Sequence, residues 1–221
     1  MSHSFTTAEE NYIKTIYHLQ QHNDVVSTNA LAQQLGSRPA SITDMLKKLK
    51  VKKLLHYERY QGFRLTPEGK RIAIGIIRKH RLWEYFLVET LKFGWDEVHE
   101  VAEELEHVSS KKLIDRLEAF LDFPKFDPHG DPIPDVNGKM TRVQQVNLID
   151  LTESTPAEVT SVGSQSSELL ELLRHNHIGI GTRLEIKKRF AFDHSLEIKL
   201  KSHPPFVISQ QLAQSLFVKL V

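Results

Sequence analysis

Residues 38–66 constrain the fold most, because the apolar period changes inside them. Pro39 stands where a helix can begin, since its missing N–H costs nothing at the first helical position. Ile42, Met45, Leu46 and Leu49 then recur at three- and four-residue intervals, the spacing of one helical face. From Leu55 the period falls to two. Leu55, Tyr57 and Arg59 alternate into Gln61-Gly62, and Phe63 and Leu65 alternate out, which predicts a β-hairpin. Upstream, Ser27 caps a short helix with Leu31, Ala32 and Leu35 apolar, and Gly36 ends it. Thr7–Gln21 reads as a further helix, with Tyr12, Ile16 and Leu19 in register and Thr7 and Glu10 as a capping box. Two helices joined by a tight turn and followed by a hairpin make a winged helix-turn-helix.

Pro67 opens a long helix reaching about Leu91. Trp95–Val108 and Ser109–Asp122 read as two more helices, with Asp96 and Ser109 or Ser110 as caps. Residues 123–142 are too rich in Pro, Gly and Asp to be regular. From about Val143 the texture changes to short β runs. Glu158–Val162, Arg183–Arg189, Leu196–Lys201 and Phe217–Val221 are predicted strands, with a short helix over Glu168–His175. The expected architecture is a mainly α N-terminal part and a small SH3-like β-barrel at the C-terminus. Domain boundaries are placed at 1–72 (winged helix-turn-helix), 73–141 (helical) and 142–221 (SH3-like).

The 221 residues carry 29 Lys+Arg and 28 Asp+Glu, a net charge of +1. That total conceals two opposite blocks. Residues 1–81 hold 14 basic and 6 acidic side chains, while residues 82–140 hold 6 and 14. A basic block favours polyanions, and an acidic block favours cations. An apolar content of 40% with 26% charge excludes disorder and collagen. Cysteine is absent, which removes disulfides, thiolate metal sites and Cys nucleophiles. There is no run of 18 apolar residues and no signal-peptide pattern, so no membrane partner and a cytoplasmic location are expected.

In a helix-turn-helix, the second helix enters the major groove and its first residues meet base edges. Here those are Arg38, Pro39, Ala40, Ser41, Thr43 and Asp44. Ser41 and Thr43 can bond bases or phosphates, and Pro39 and Ala40 suit a thymine methyl. Lys47, Lys48, Lys50, Lys52 and Lys53 follow, with Arg59 and Arg64 on the wing; these suit phosphates of double-stranded DNA. The competing reading is a solvated helix end whose lysines complement the helix dipole.

The acidic block contains HEVAEELEH at 99–107. On a helix, His99, Glu103, Glu106 and His107 form one stripe, while Val98, Val101, Ala102 and Leu105 form a separate apolar face. The preceding helix carries His80 and Glu84 one turn apart. Imidazole and carboxylate without thiolate suit Mn²⁺, Fe²⁺, Co²⁺ or Zn²⁺. The competing reading is an acidic amphipathic helix with surface histidines. The zinc-protease pattern fails, because Glu103 stands where a second His is required.

The strings EENYIKTIY (9–17), RPASITDMLKKL (38–49), RKHRLWEYFL (78–87), VHEVAEELEHVSS (98–110) and FPKFDPHGDPIP (123–134) resemble the diphtheria-toxin-repressor family of metal-dependent regulators, including its manganese-responsive branch. The C-terminal part resembles the SH3-like, ferrous-transport-A-type domain of longer members. The resemblance implies a non-enzymatic homodimer whose helical domain over 73–141 dimerises, and which represses metal-uptake genes on a palindromic operator when Mn²⁺ or Fe²⁺ is bound. It implies a primary metal site at Asn11, Glu103, Glu106 and His107, completed by His80. Asn11 stands where the family usually has Asp or Met, and Glu103 leans toward manganese. A second site is implied in two versions: His80, Glu84 and His99 with Gln165 or Glu168, or Glu84 with Asp127 and His129. Asp127 stands where streptococcal-type relatives have Cys. The alternatives are a winged-helix regulator of a non-metal effector and a di-metal hydrolase.

Overall fold

The computed structural model describes residues 5–21, 23–58 and 62–221. It divides into two compact units. The first runs to His80 and adds Leu105–Ser110 and Pro134–Lys139; the second holds Arg81–Glu104, Lys111–Ile133 and Met140–Val221.

In the first unit, α1 (Thr7–Leu19) is capped by Thr6, one residue earlier than the expected Thr7. Thr6 is the last extended residue, with φ −77° and ψ 154°, so its hydroxyl reaches the Glu9 N–H. The Glu9 carboxylate accepts from the Thr6 N–H at 3.0 Å, closing the capping box one register before Thr7 and Glu10. Ser27 caps α2 (Thr28–Gln34), and Pro39 opens α3 (Pro39–Val51). Strands β1 (Leu55–Glu58) and β2 (Gly62–Leu65) pair antiparallel, with Leu55 opposite Leu65. Phe63 also exchanges two backbone hydrogen bonds with Val26, both 2.9 Å. That closeness requires Gly62: at φ +134°, an added Cβ would lie 2.2 Å from the Val26 carbonyl oxygen. Thr66 accepts from the Gly69 N–H at 3.1 Å and so starts α4 (Pro67–Glu89). Ile13, Ile16, Leu31, Ile42, Leu46, Leu49 and Leu65 fill the core of this unit.

The second unit receives the rest of α4, most of α5 (Val98–Leu105), and α6 (Lys111–Phe120). Both later helices are shorter than their periodicity suggests. Residues 95–97 form a turn in which the Glu97 carboxylate accepts from the Gly94 N–H at 2.8 Å. Asp96 ion-pairs with Arg174 at 3.1 Å. Leu82, Ile114, Leu117 and Ile133 make a small helical core.

After the irregular segment come β3 (Val146–Asn147), a 3-10 turn at Leu148–Asp150, β4 (Ala157–Val162), α7 (Ser167–His175), β5 (Arg183–Arg189), β6 (Leu196–Leu200), β7 (Phe206–Ile208), α8 (Gln210–Gln214) and β8 (Leu216–Leu220). The strands form one antiparallel sheet in the order β3-β8-β4-β5-β6-β7. Alternate residues such as Leu184 and Ile186, or Leu196, Ile198 and Leu200, turn into a core shared with Leu170 and Leu173 of α7. β3, β7 and α8 are additions to the predicted elements.

Within the Pro/Gly/Asp-rich segment, His129 and Gly130 lie against β4. The Val162 N–H donates to the His129 carbonyl at 3.2 Å. Gly130, at φ +85°, approaches so closely that a Cβ would stand 1.9 Å from the Thr160 carbonyl oxygen. Among the described residues, no helix is long and apolar enough to cross a membrane.

Candidate metal centres and nucleic-acid interface

Arg38, Pro39, Ala40, Ser41, Thr43, Lys47 and Lys48 are all exposed along one side of α3. The opposite side is anchored by Ile42, Leu46 and Leu49. Thr43 donates to the Pro39 carbonyl at 3.0 Å. Asp44, an unexpected acid in this position, pairs with Lys47 at 3.2 Å. Lys52 pairs with Glu9 at 2.6 Å, and Lys50 lies over the Tyr57 ring at 5.5 Å, which ties both to the fold. Arg59 lies outside the described residues.

The first cluster lies within the first unit. Successive turns of α1 carry Glu10, Asn11 and Lys14, α4 carries His80, and Glu106 and His107 follow the end of α5. Glu106 is fully buried, and its two oxygens lie 2.6 and 2.8 Å from Lys14 Nζ. His80 Nδ1 is 2.7 Å from Glu106 Oε2. Burial raises the Glu106 pKa, but the His80 hydrogen bond and the Lys14 charge outweigh it and hold the carboxyl below its usual range. His107 Nδ1 is 2.6 Å from Glu10 Oε2, and its Nε2 is 3.8 Å from Glu106 Oε1. Asn11 Oδ1 is buried and makes no hydrogen bond. Asn11 sits between Glu10, which holds His107, and Lys14, which holds Glu106. A buried amide oxygen left without a donor, on the helix whose neighbouring residues hold Glu106 and His107, fits a hard or borderline divalent cation.

The second cluster lies within the second unit. Glu84, Asp127 and His129 are buried, and one ligand atom from each lies within 4.8 Å of the other two. Their positions follow from local structure. Asp127 Oδ1 accepts from the backbone N–H groups of His129 and Asp131, both at 2.9 Å, folding the loop around it. Oδ2 is left with no hydrogen bond. His129 Nε2 is 2.7 Å from the Trp95 carbonyl, and the two rings stack at 6.0 Å. That carbonyl can only accept, so Nε2 carries a proton, and His129 Nδ1 has no hydrogen-bond partner. Nδ1 stands 3.7 Å from Glu84 Oε2.

Burial first, then the charges of Glu84 and Asp131, push the Asp127 pKa up to about 7. Arg81 opposes the rise, with Nε 3.5 Å from Asp127 Oδ2 and another nitrogen 3.2 Å from Asp131 Oδ2. For His129, burial works against protonation, but the adjacent Glu84 carboxylate outweighs it and raises the pKa. Two buried carboxylates beside one imidazole crowd negative charge that a divalent cation, displacing the ring's Nδ1 proton, would relieve.

Of the remaining predicted residues, His99 borders this cluster through Glu84. His99 is partly exposed, with Nδ1 3.3 Å from Glu84 Oε1 and Nε2 3.7 Å from Glu103 Oε1. Glu103 is exposed. Gln165 donates to Asp131 Oδ2 at 3.4 Å, and Glu168 is exposed in the first turn of α7. Glu10, Lys14 and Arg81 carry no functional signal in the sequence. Their roles depend on residues 46 to 97 positions away, which a single sequence does not reveal.

Comparison with known proteins yields three domain matches in chain order. Residues 4–63 match the iron dependent repressor N-terminal DNA binding domain, residues 66–135 match the iron dependent repressor metal binding and dimerisation domain, and residues 146–220 match the FeoA domain. The iron-dependent repressor IdeR of Mycobacterium tuberculosis is 32% identical over 148 residues, covering 65% of this chain. That match spans just under two thirds of the relative's own length, 64%. The diphtheria toxin repressor of Corynebacterium efficiens is 30% identical over 189 residues, 80% of this chain and 81% of that one. A solved structure of a manganese-dependent transcriptional repressor in complex with manganese superposes with a TM-score of 0.86 at 30% identity, covering 96% of this chain and all of the other. These relatives are named as repressors. With domain matches in series and a relative aligned over four fifths of both sequences, the chain belongs to the iron-dependent, or diphtheria-toxin, repressor family.

Proposed function

We propose that the protein is a divalent-metal-activated, DNA-binding transcriptional repressor that controls metal-uptake genes as a cytoplasmic homodimer. The observation that carries this reading is the buried, unmatched Asn11 oxygen on α1, flanked on that helix by Glu10, which holds His107, and Lys14, which holds Glu106, within the unit that also presents α3. Manganese is the preferred ion, with iron second, because the donors are oxygen and imidazole nitrogen without thiolate.

Asn11, His80, Glu106 and His107 are assigned to the first site, with Glu10 orienting His107. Glu84, Asp127 and His129 are assigned to the second, with the Trp95 carbonyl fixing the His129 tautomer. Glu103, His99, Gln165 and Glu168 remain secondary proposals, to be tested by substitution. A bound divalent ion supplies the positive charge that lets these donors converge. α1 converts that convergence into a position of the reading head. Ile13 and Ile16 on its inner face pack into the core that also holds Leu46 and Leu49, so α1 and α3 move as one body. In the homodimer two such heads meet successive half-sites. Metal acts by population shift, favouring the arrangement in which both heads fit.

The test is operator retention by the wild-type chain and by His107→Ala, Glu103→Ala and Asp127→Ala, with and without Mn²⁺. His107→Ala and Asp127→Ala are expected to fold, by circular dichroism, and to lose metal-dependent retention. If both respond to Mn²⁺ like the wild type, the two assigned sites are wrong.

A further inference from the structure

The first cluster already contains a cation of its own. Lys14 Nζ lies 2.6 Å from Glu106 Oε1 and 2.8 Å from Oε2, bridging both oxygens of a fully buried carboxylate. The lysine side chain is only 13% exposed, so this is not a loose surface pair. The Glu106 carboxylate is therefore already balanced by an ammonium group. A divalent ion on Glu106 would compete with Lys14 for the same two oxygens, and in a dry pocket the two positive charges repel. The two ends of the pair differ in freedom. Glu106 is fixed by burial and by His80, whereas Lys14 has a flexible four-carbon stem on α1 that can turn toward solvent.

We propose that Lys14 is a resident counter-cation that guards the Glu106 carboxylate and must withdraw before a divalent ion is held there, so that it sets the metal concentration at which the first site fills. The inference rests on the assignment of Asn11, His80, Glu106 and His107 to a metal site. Lys14 has two effects in the metal-free protein. It neutralises a buried charge, which stabilises the fold, and it fastens α1 to Glu106 with its own ion pair. In the metal-loaded protein its ammonium has left. Metal affinity is thus reduced by the strength of the closed lysine pair, and the sensor stays empty at low metal.

The experiment uses the full-length chain carrying Asp127→Asn, so that the second site does not contribute. Mn²⁺ binding is titrated by the paramagnetic resonance signal of free aquo-Mn²⁺, and thermal unfolding is followed with and without Mn²⁺. Lys14→Met keeps the length and apolar stem and removes the charge. A charge-assisted hydrogen bond strong enough to close the site corresponds to about a tenfold or greater tightening of the Mn²⁺ Kd in Lys14→Met. The same variant is expected to melt lower without metal and to gain more from Mn²⁺. Lys14→Arg, which keeps a cation on the carboxylate, is expected to bind no more tightly than its parent. Lys14→Gln replaces Lys14→Met if the latter does not fold. Equal or weaker binding in the uncharged variants overturns the guard role. A different result overturns the underlying site assignment: Mn²⁺ binding in the Asp127→Asn chain that is absent, or that His107→Ala leaves unchanged.

Discussion

Replacing Asp127 with Asn changes one charge in the buried second cluster and little else. The amide oxygen of Asn can still accept the two 2.9 Å bonds from the N–H groups of His129 and Asp131, so the loop keeps its shape. Its NH₂ group replaces Oδ2, an atom that makes no hydrogen bond in the native chain. In that chain, burial and then the charges of Glu84 and Asp131 raise the Asp127 pKa from 3.8 to about 7. The unfolded carboxyl titrates at about 3.9. Between those values the folded chain holds a proton that the unfolded chain releases. Stability contributed by this group is therefore complete below about pH 4, falls as the pH rises toward about 7, and is level beyond it. At about 1.4 kcal/mol per unit, the span caps the loss at about 4 kcal/mol. Local rearrangement of Arg81 and entry of water lower that cap, and a gain of at least about 1 kcal/mol at alkaline pH is expected for Asp127→Asn. For a chain of this size that is roughly 2–4 °C in melting temperature. The assay is thermal unfolding of the metal-free protein at mildly acid and mildly alkaline pH. Tryptophan fluorescence serves as the probe, because Trp95 stacks on His129. The variant should match the wild type in acid, exceed it in alkali, and gain less stability from Mn²⁺ than the wild type does, because only the first site remains. A variant that is less stable at both pH values, or whose difference from the wild type does not change with pH, would refute the reasoning.

Three further outcomes follow from the geometry. Lys47→Ala with Lys48→Ala should weaken binding to all duplex sequences alike and lower the slope of log affinity against log salt by about 1 for each phosphate no longer neutralised, measured by fluorescence anisotropy. Leu46→Ala empties part of the first core and should cost about 3 kcal/mol in urea unfolding; a cost below about 1 kcal/mol would mean that Leu46 is not tightly packed. Gly130→Ala places a Cβ 1.9 Å from the Thr160 carbonyl oxygen at φ +85°, so it should free the loop from β4 and raise amide exchange at Val162, whose N–H bonds the His129 carbonyl.

The parts of the fold that are legible in the sequence are those where residue chemistry acts locally. Pro39 and Pro67 mark helix starts because proline fits the first turn, and the alternation from Leu55 to Leu65 marks the wing. The cap at Thr6 is hard to separate from Thr7, because each has a Glu three residues on and only the backbone angle distinguishes them. α5 is shorter than its pattern because residues 95–97 continue the helical composition while folding as a turn. β3 and β7, of two and three residues, are too short to show a period. In the candidate sites, residue types are visible in the sequence and their environment is not. Nothing local says that Glu84 and His129 are fully buried, or that Asp127 accepts two backbone bonds and is pushed up to about 7. Lys14 is invisible as a functional residue because its role depends on Glu106, 92 positions away.

The central claim is that metal occupancy of the His/Glu/Asp clusters controls DNA reading by α3. Selection of duplex DNA from a random pool by the full-length protein, carried out in parallel with Mn²⁺ and with a chelator, tests it most directly. The account predicts enrichment of a two-fold-symmetric motif with half-sites about one helical turn apart in the Mn²⁺ arm only, abolished by His107→Ala. The same motif recovered with equal affinity under chelation would contradict it.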